Sequence, residues 1–433
     1  MPDLTDRLLP RLQDHRLTQL DLGYEVIYPY YEGGSILNIP SSLCQLFGVP
    51  DFGAVSLFPE ILSPLMSTRP SGSGFQNVIL VLMDALAIHR FQRWLMQGQL
   101  PLWSRLIKDG LLAPVTSITP STTSAALTSL WTGRSAVEHG IVGYEMWLKE
   151  YGMVVNAITH APMYFKHDAG GLRRAGFNPR NFMSLPTLGS HLLANGVKAH
   201  AFQHFSIAHS GVSQMLFEDV EVHSFSTQAD LWISLRCLLE NQSQQRSYVW
   251  VYWDQLDYFS HRYGPDDERP LEEFKSFSLD FERLFLDRLR ADLRSKTLLI
   301  LIADHGQITT RMDAHYELIN HPSLARRLHI LPTGENRLMY LFVRPGQTEA
   351  VREYLNRTWP AQFSVIDPLY ALHAGLFGPG KPHPRLADRL GDQLVIAQGN
   401  AYLWWAPEQN HLVGRHGGLS PDEMLVPFLA VPL

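Results

Sequence analysis

Three stretches of this chain are apolar without alternation, and each stops at a carboxylate. Asn77-Val-Ile-Leu-Val-Leu-Met83 runs into Asp84, residues 248–253 run into Asp254 and Asp257, and residues 297–303 run into Asp304. Apolar runs of this length are what strands covered on both faces look like, as in a parallel sheet flanked by helices. Helix-compatible segments lie between them at 87–97, 186–194 and 274–293, with a further extended run at 198–203. The alternation predicts an α/β protein, a three-layer α/β/α sandwich with a mostly parallel central sheet. Ligands of such sheets bind beyond the carboxyl ends of the strands. All three runs deliver an Asp to that edge.

Between the first two runs comes Ile118-Thr-Pro120-Ser-Thr-Thr123-Ser, then a helix-compatible segment over 125–131 and Gly133. Pro120 ends an extended stretch, and Ser121, Thr122, Thr123 and Ser124 are all cap candidates. A hydroxyl placed there sits among unpaired backbone N–H groups, the usual setting for a bound phosphate. Residues 1–75 read as an N-terminal extension, closed by Ser67-Thr-Arg-Pro-Ser-Gly-Ser-Gly74, a loop or linker by composition. The catalytic domain then spans 76–433. Residues 146–185 form a lid candidate. Residues 308–405, with an extended run at 337–343 and a helical one at 349–358, form a cap inserted before the last candidate ligand.

Composition narrows the function. A net charge of −6 and a pI near 6.3 argue against nucleic-acid binding by phosphate neutralisation. Two cysteines, Cys44 and Cys237, make neither a disulfide framework nor a zinc ribbon. The first residues lack an uninterrupted apolar segment, and no stretch reaches membrane-span length. The expected location is cytoplasmic.

The polar residues at the strand ends suit metal chemistry. Asp257 and His261 stand four apart and share a face of a helix. Asp304-His305 precede Gly306 in a turn, and Gly414-Arg-His416-Gly-Gly418 offers another imidazole near the C-terminus. Mixed Asp/His donors suit zinc or manganese better than calcium or magnesium. Three carboxylates and three imidazoles exceed one tetrahedral ion but suffice for two ions about 4 Å apart, an arrangement used for in-line phosphoryl displacement. Asp254 competes with Asp257, at a poorer spacing to His261.

Taken in order, Asp84, Pro120-Ser-Thr-Thr123, Thr132-Gly133, His139-Gly140, Asp257 with His261-Arg-Tyr-Gly264-Pro265, Asp304-His305-Gly306 and Gly414-Arg-His416-Gly417 resemble the alkaline phosphatase superfamily. The branch they resemble is that of the type I phosphodiesterases and nucleotide pyrophosphatases. The resemblance implies Thr123 as a nucleophile that becomes phosphorylated, with Thr122 as fallback. It implies Asp84, Asp304 and His305 around one divalent ion, and Asp257, His261 and His416 around a second; zinc is expected, manganese being the alternative. The partner implied is a small phosphoester, nucleotides included. Relatives carry Asn-His shortly after the nucleophile, where this chain has Ala126-Leu127, and an Asn where it has Tyr144. The Tyr144 hydroxyl could donate to a phosphate oxygen in that Asn's place. Phosphomonoester or phosphonate hydrolysis, a mutase, and a non-catalytic metal-bound binding protein are the competing readings. The sulfatase motif is absent. His139 reads as structural, Arg134, Arg262 and Arg415 as solvated surface, and Trp404-Trp405 as core packing rather than a stacking platform. His160, Lys166 and His167 form a polar cluster without an assigned role.

Overall fold

In a computed structural model, residues 2–23, 25–69, 74–164 and 171–433 are described; Lys166, His167 and part of the Gly/Ser/Pro stretch at 67–74 lie outside them. The central sheet has seven strands: β1 (Asn77–Met83), β2 (Leu111–Thr116), β3 (Val197–His204), β4 (Val220–Phe225), β5 (Arg246–Trp253), β6 (Thr297–Ile302) and β7 (Leu425–Pro432), in the order β2-β7-β6-β1-β5-β3-β4. Strand β7 runs antiparallel to both its neighbours, and every other pairing is parallel. The fold is the expected α/β arrangement on a mostly parallel sheet. Strands β1 and β6 are buried along their whole length, which is why their sequences show no polar alternation. In register, Met83 pairs with Trp253 and Leu82 with Ile302. The three carboxylate-bearing ends therefore arrive at one edge together.

The helices follow the sequence pattern closely where it is local: Ile88–Met96, Thr123–Thr132, Leu188–Ala194 and Thr348–Thr358 all form. The segment expected to be helical over 274–293 does not stay so. Its helix is Glu268–Phe281, which passes into a π-turn at Glu282–Leu286 that seats Leu284, Phe285 and Leu286 in the core.

A second, antiparallel sheet covers the carboxyl edge. Its order is Phe363–Ile366, Gln393–Ala397, Leu338–Leu341, Thr333–Glu335, Glu145–Leu148, Met153–Asn156 and Ala161–Pro162. The segments read as lid and as inserted cap are thus one sheet, joined where Gly334 pairs with Glu145. The first 75 residues also join the main core: Leu4, Leu8, Leu12, Tyr28, Ile36 and Leu43 belong to the same buried cluster as the central strands. Asp3 bridges Leu112 and Ser35 bridges Thr116, so this segment covers the outer edge of β2, a place where open backbone invites aggregation. No helix among the described residues is long and apolar enough to cross a membrane.

Candidate active site

Thr123 is the first residue of helix Thr123–Thr132, and Thr122 is its N-cap. The Thr122 hydroxyl does not cap the helix; it donates to Glu335 Oε1 at 2.5 Å. Thr123 is engaged differently, with its Oγ1 3.1 Å from His305 Nε2. Ser121 is structural, donating to Gly418 O (2.7 Å) and accepting from Gly417 N (3.2 Å).

Two three-residue groups adjoin this hydroxyl, each with donor atoms within 4.8 Å of one another: Asp84, Asp304 and His305, and Asp257, His261 and His416. Asp84 continues β1 and Asp304 follows β6. Asp257 and His261 sit one turn apart on helix Gln255–Tyr263 after β5, and His416 comes from the loop leading back to β7. Asp254 lines the cavity but joins neither group; Gln255 donates to it at 2.8 Å. All six expected ligand positions therefore converge, although they are scattered over more than 300 residues.

The orphaned atoms fit cations. Asp84 Oδ1 and Asp304 Oδ2 are buried without a hydrogen-bond partner, and both lie 3.5 Å from His305 Nε2. The Tyr252 hydroxyl donates to the other oxygen of Asp84. Burial, then the charges of Asp304 and Asp257, hold the Asp84 carboxyl well above the usual carboxylate range. Uncompensated carboxylates packed this way are costly, and a divalent ion between them removes the cost. Each imidazole is also fixed in one tautomer. Nδ1 of His305 donates to Gly306 O (3.0 Å), Nδ1 of His261 to Gly414 O (2.8 Å) and Nδ1 of His416 to Ser121 O (3.0 Å). A carbonyl can only accept, so all three Nε2 atoms present lone pairs to the site. Burial, then His305 and His261, keep His416 well below the usual imidazole range, and so neutral, as a ligand must be.

The Gly-rich loop has a geometric reason. A Cβ on Gly414 would run into Ser260 O, and one on Gly417, at φ +106°, would run into the Glu335 side chain. Glu335 accepts from both Thr122 and the Tyr144 backbone N–H (2.8 Å), and burial pushes its carboxyl up to about 8. Glu335 and Gln307, which donates to Asp257, were not legible as site residues: each is polar in an unremarkable context, and only the three-dimensional contact marks it.

A cavity of about 740 Å³ opens over these groups, lined also by Tyr144, Glu145, Arg262, Trp404, Trp405 and Arg415. Arg415 departs from its expectation of solvated surface. It is buried, its guanidinium lies 3.8 Å from the Tyr402 ring centre, and it donates to Asn410 Oδ1 at 2.5 Å; the pairing of the Gly414–Arg415 strand with Ile308–Thr309 carries it inward. Arg262 is on the surface, donating to the Tyr258 hydroxyl (3.1 Å), and Arg134 pairs with Glu138 at 3.3 Å. Trp405 is buried in the cap core while its Nε1 donates to Glu145 (2.9 Å). His139 is structural: Nδ1 accepts from Ile141 N and Nε2 faces Ser129, with burial pushing it down to about 3. His160 is buried against Phe177.

A mostly parallel sheet carrying this cluster at its carboxyl edge is the architecture of the alkaline phosphatase superfamily. Within it, the chain belongs to the type I phosphodiesterase / nucleotide pyrophosphatase family, whose model matches residues 78–419, and its class is that of a hydrolase. No curated protein sequence is significantly similar. Among solved structures, murine ectonucleotide pyrophosphatase/phosphodiesterase 5 superposes with a TM-score of 0.60 at 17% identity, over 82% of this chain and 87% of that one. An inactive threonine-to-alanine form of the murine protein, in complex with AMP, gives 0.61 at 17% identity with the same coverage. Phosphonoacetate hydrolase from Sinorhizobium meliloti, in complex with phosphonoformate, gives 0.58 at 17% identity, over 81% and 89%.

Proposed function

We propose that this chain hydrolyses phosphodiester or nucleotide pyrophosphate bonds through a covalent phosphothreonine at position 123. The observation that carries the reading is the Thr123 hydroxyl at 3.1 Å from His305 Nε2, beside two preformed Asp/His groups with unpartnered carboxylate oxygens. Asp84, Asp304 and His305 would hold one divalent ion and Asp257, His261 and His416 another, zinc by donor type, with manganese the alternative. When bound, such ions acidify a hydroxyl and neutralise charge on transferring and leaving oxygens.

The protein's own part is placement. The start of helix Thr123–Thr132 aims Thr123 Oγ1 into the cavity and adds the positive end of the helix dipole to a phosphoryl group there. Oγ1 loses its proton to solvent and attacks phosphorus, forming the O–P bond as the bond to the leaving alkoxide or phosphate breaks and the departing oxygen takes up a proton. Water then cleaves the phosphothreonine, its oxygen going to phosphorus and a proton restoring the Thr123 hydroxyl. Thr122 is held out of this step by Glu335. Tyr144 lines the same cavity, where its hydroxyl would donate to a substrate oxygen.

Steady-state turnover of bis-p-nitrophenyl phosphate, with and without chelator, tests the reading. Metal-independent turnover, or full activity in Thr123→Ala, would sink it. Tyr144, standing where relatives have Asn, favours as second reading a monoester or phosphonate hydrolase. Turnover of p-nitrophenyl phosphate exceeding that of the diester would select it.

A further inference from the structure

On the outermost pair of central strands, β3 and β4, a second set of ligand-type side chains meets, sharing no residue with the site above: His200, Glu221 and His223. The parallel register sets His200 beside Glu221, and His223 follows two residues on, on the same face. His200 Nδ1 lies 3.0 Å from His223 Nε2 and 3.6 Å from Glu221 Oε2, while His223 Nε2 lies 3.7 Å from Glu221 Oε1. Zinc bonds of about 2.0–2.1 Å in a tetrahedron put neighbouring ligand atoms roughly 3.3 Å apart, and the 3.0 Å and 3.7 Å from His223 Nε2 to His200 Nδ1 and to Glu221 Oε1 straddle that edge length.

The surroundings of the rings also suit ligation. His200 Nε2 is buried with no hydrogen-bond partner, and Nδ1 is the ring nitrogen that faces His223 and Glu221. Phe202 stacks on the His223 ring with centres 4.6 Å apart, fixing its plane. Lys198 holds Glu221 Oε2 at 2.6 Å, which leaves Oε1 as the carboxylate donor.

We propose that His200 Nδ1, His223 Nε2 and Glu221 Oε1 bind one divalent transition-metal ion, with zinc as the natural occupant and a fourth position open to solvent. Most β4 side chains stay outside the core, and the ion would pin this edge strand to β3.

Equilibrium dialysis of the full chain against Zn²⁺ tests it. Wild type should retain one equivalent more than His223→Ala and more than Glu221→Gln. The difference is read between chains, so it stands whether or not the six-ligand cluster takes up two ions. Cobalt loading adds a second readout: the wild-type-minus-variant spectrum should show the visible band of tetrahedral Co²⁺. Variants with the wild-type circular dichroism spectrum that retain as much zinc as wild type, or a flat cobalt difference spectrum, would overturn the proposal.

Discussion

The two ligand groups beside Thr123 contrast more than their similar chemistry suggests. Asp84, Asp304 and His305 have side chains 2%, 0% and 0% exposed, whereas Asp257, His261 and His416 are 20%, 25% and 9% exposed. The first group is built from two strand ends of the buried sheet. The second hangs on a helix and a glycine-rich return loop. Buried carboxylates without a counter-ion repel and lose hydration, while partly exposed ones are relieved by water. On the proposed reading, the inner group would therefore depend more on a cation, and the outer group would exchange one more readily.

The largest expected effect is common to both groups. Thr123→Ala should lower diester turnover ~10³-fold or more in steady-state assays, whereas Thr122→Ala should not. Next, alanine at Asp304 and at Asp257 should separate the groups. As zinc is raised to saturation, Asp257→Ala should recover part of its activity and Asp304→Ala should recover none, as rate-against-zinc titrations would show. Graded chelation should remove the outer equivalent first, leaving a one-ion species with little turnover. Release of both ions together would break the contrast.

A smaller effect concerns pH. The folded-state pKa of Glu335, about 8, lies above its ordinary 4.5. Its stabilising neutral form is thus fully present below about 4.5, and the contribution is lost as pH rises to about 8. The melting temperature should fall across that window, and Glu335→Gln should flatten the profile in differential scanning fluorimetry. Smallest is Tyr144→Phe, where loss of one hydrogen bond should change kcat/KM by about three- to tenfold on a diester.

What could be read from the sequence was local or chemically distinctive. Long apolar runs could only be buried strands, and Asp or His at their ends could be singled out by type. Unreadable were the pairings between distant, ordinary segments. Glu145–Leu148 joins Thr333–Glu335 across some 190 residues, and no periodicity announces that one strand will choose the other. The first 75 residues looked detached because the Gly/Ser/Pro-rich stretch at 67–74 reads as a linker before β1, yet Leu4 and Ile36 reach the same core as β1. Arg415 looked like surface because arginine usually is; its place between Tyr402, Thr310 and Asn410 depends on a short strand pairing. The extra helical length expected beyond Phe281 gave way to tertiary packing of Phe285 against Trp232.

Arg337 and Glu423 form a fully buried bidentate pair, at 2.7 and 2.9 Å, between the turn of the covering sheet and the segment entering β7. Glu423 simultaneously receives the Gly418 N–H and the Ser420 hydroxyl. Separating such partners strands a charge in the interior, at a cost of about 3–5 kcal/mol. The roof over Thr123 is thus bolted to the floor at this pair. On the proposed reading, a substrate would enter past the side chains of the cavity mouth, whose shape would then set selectivity.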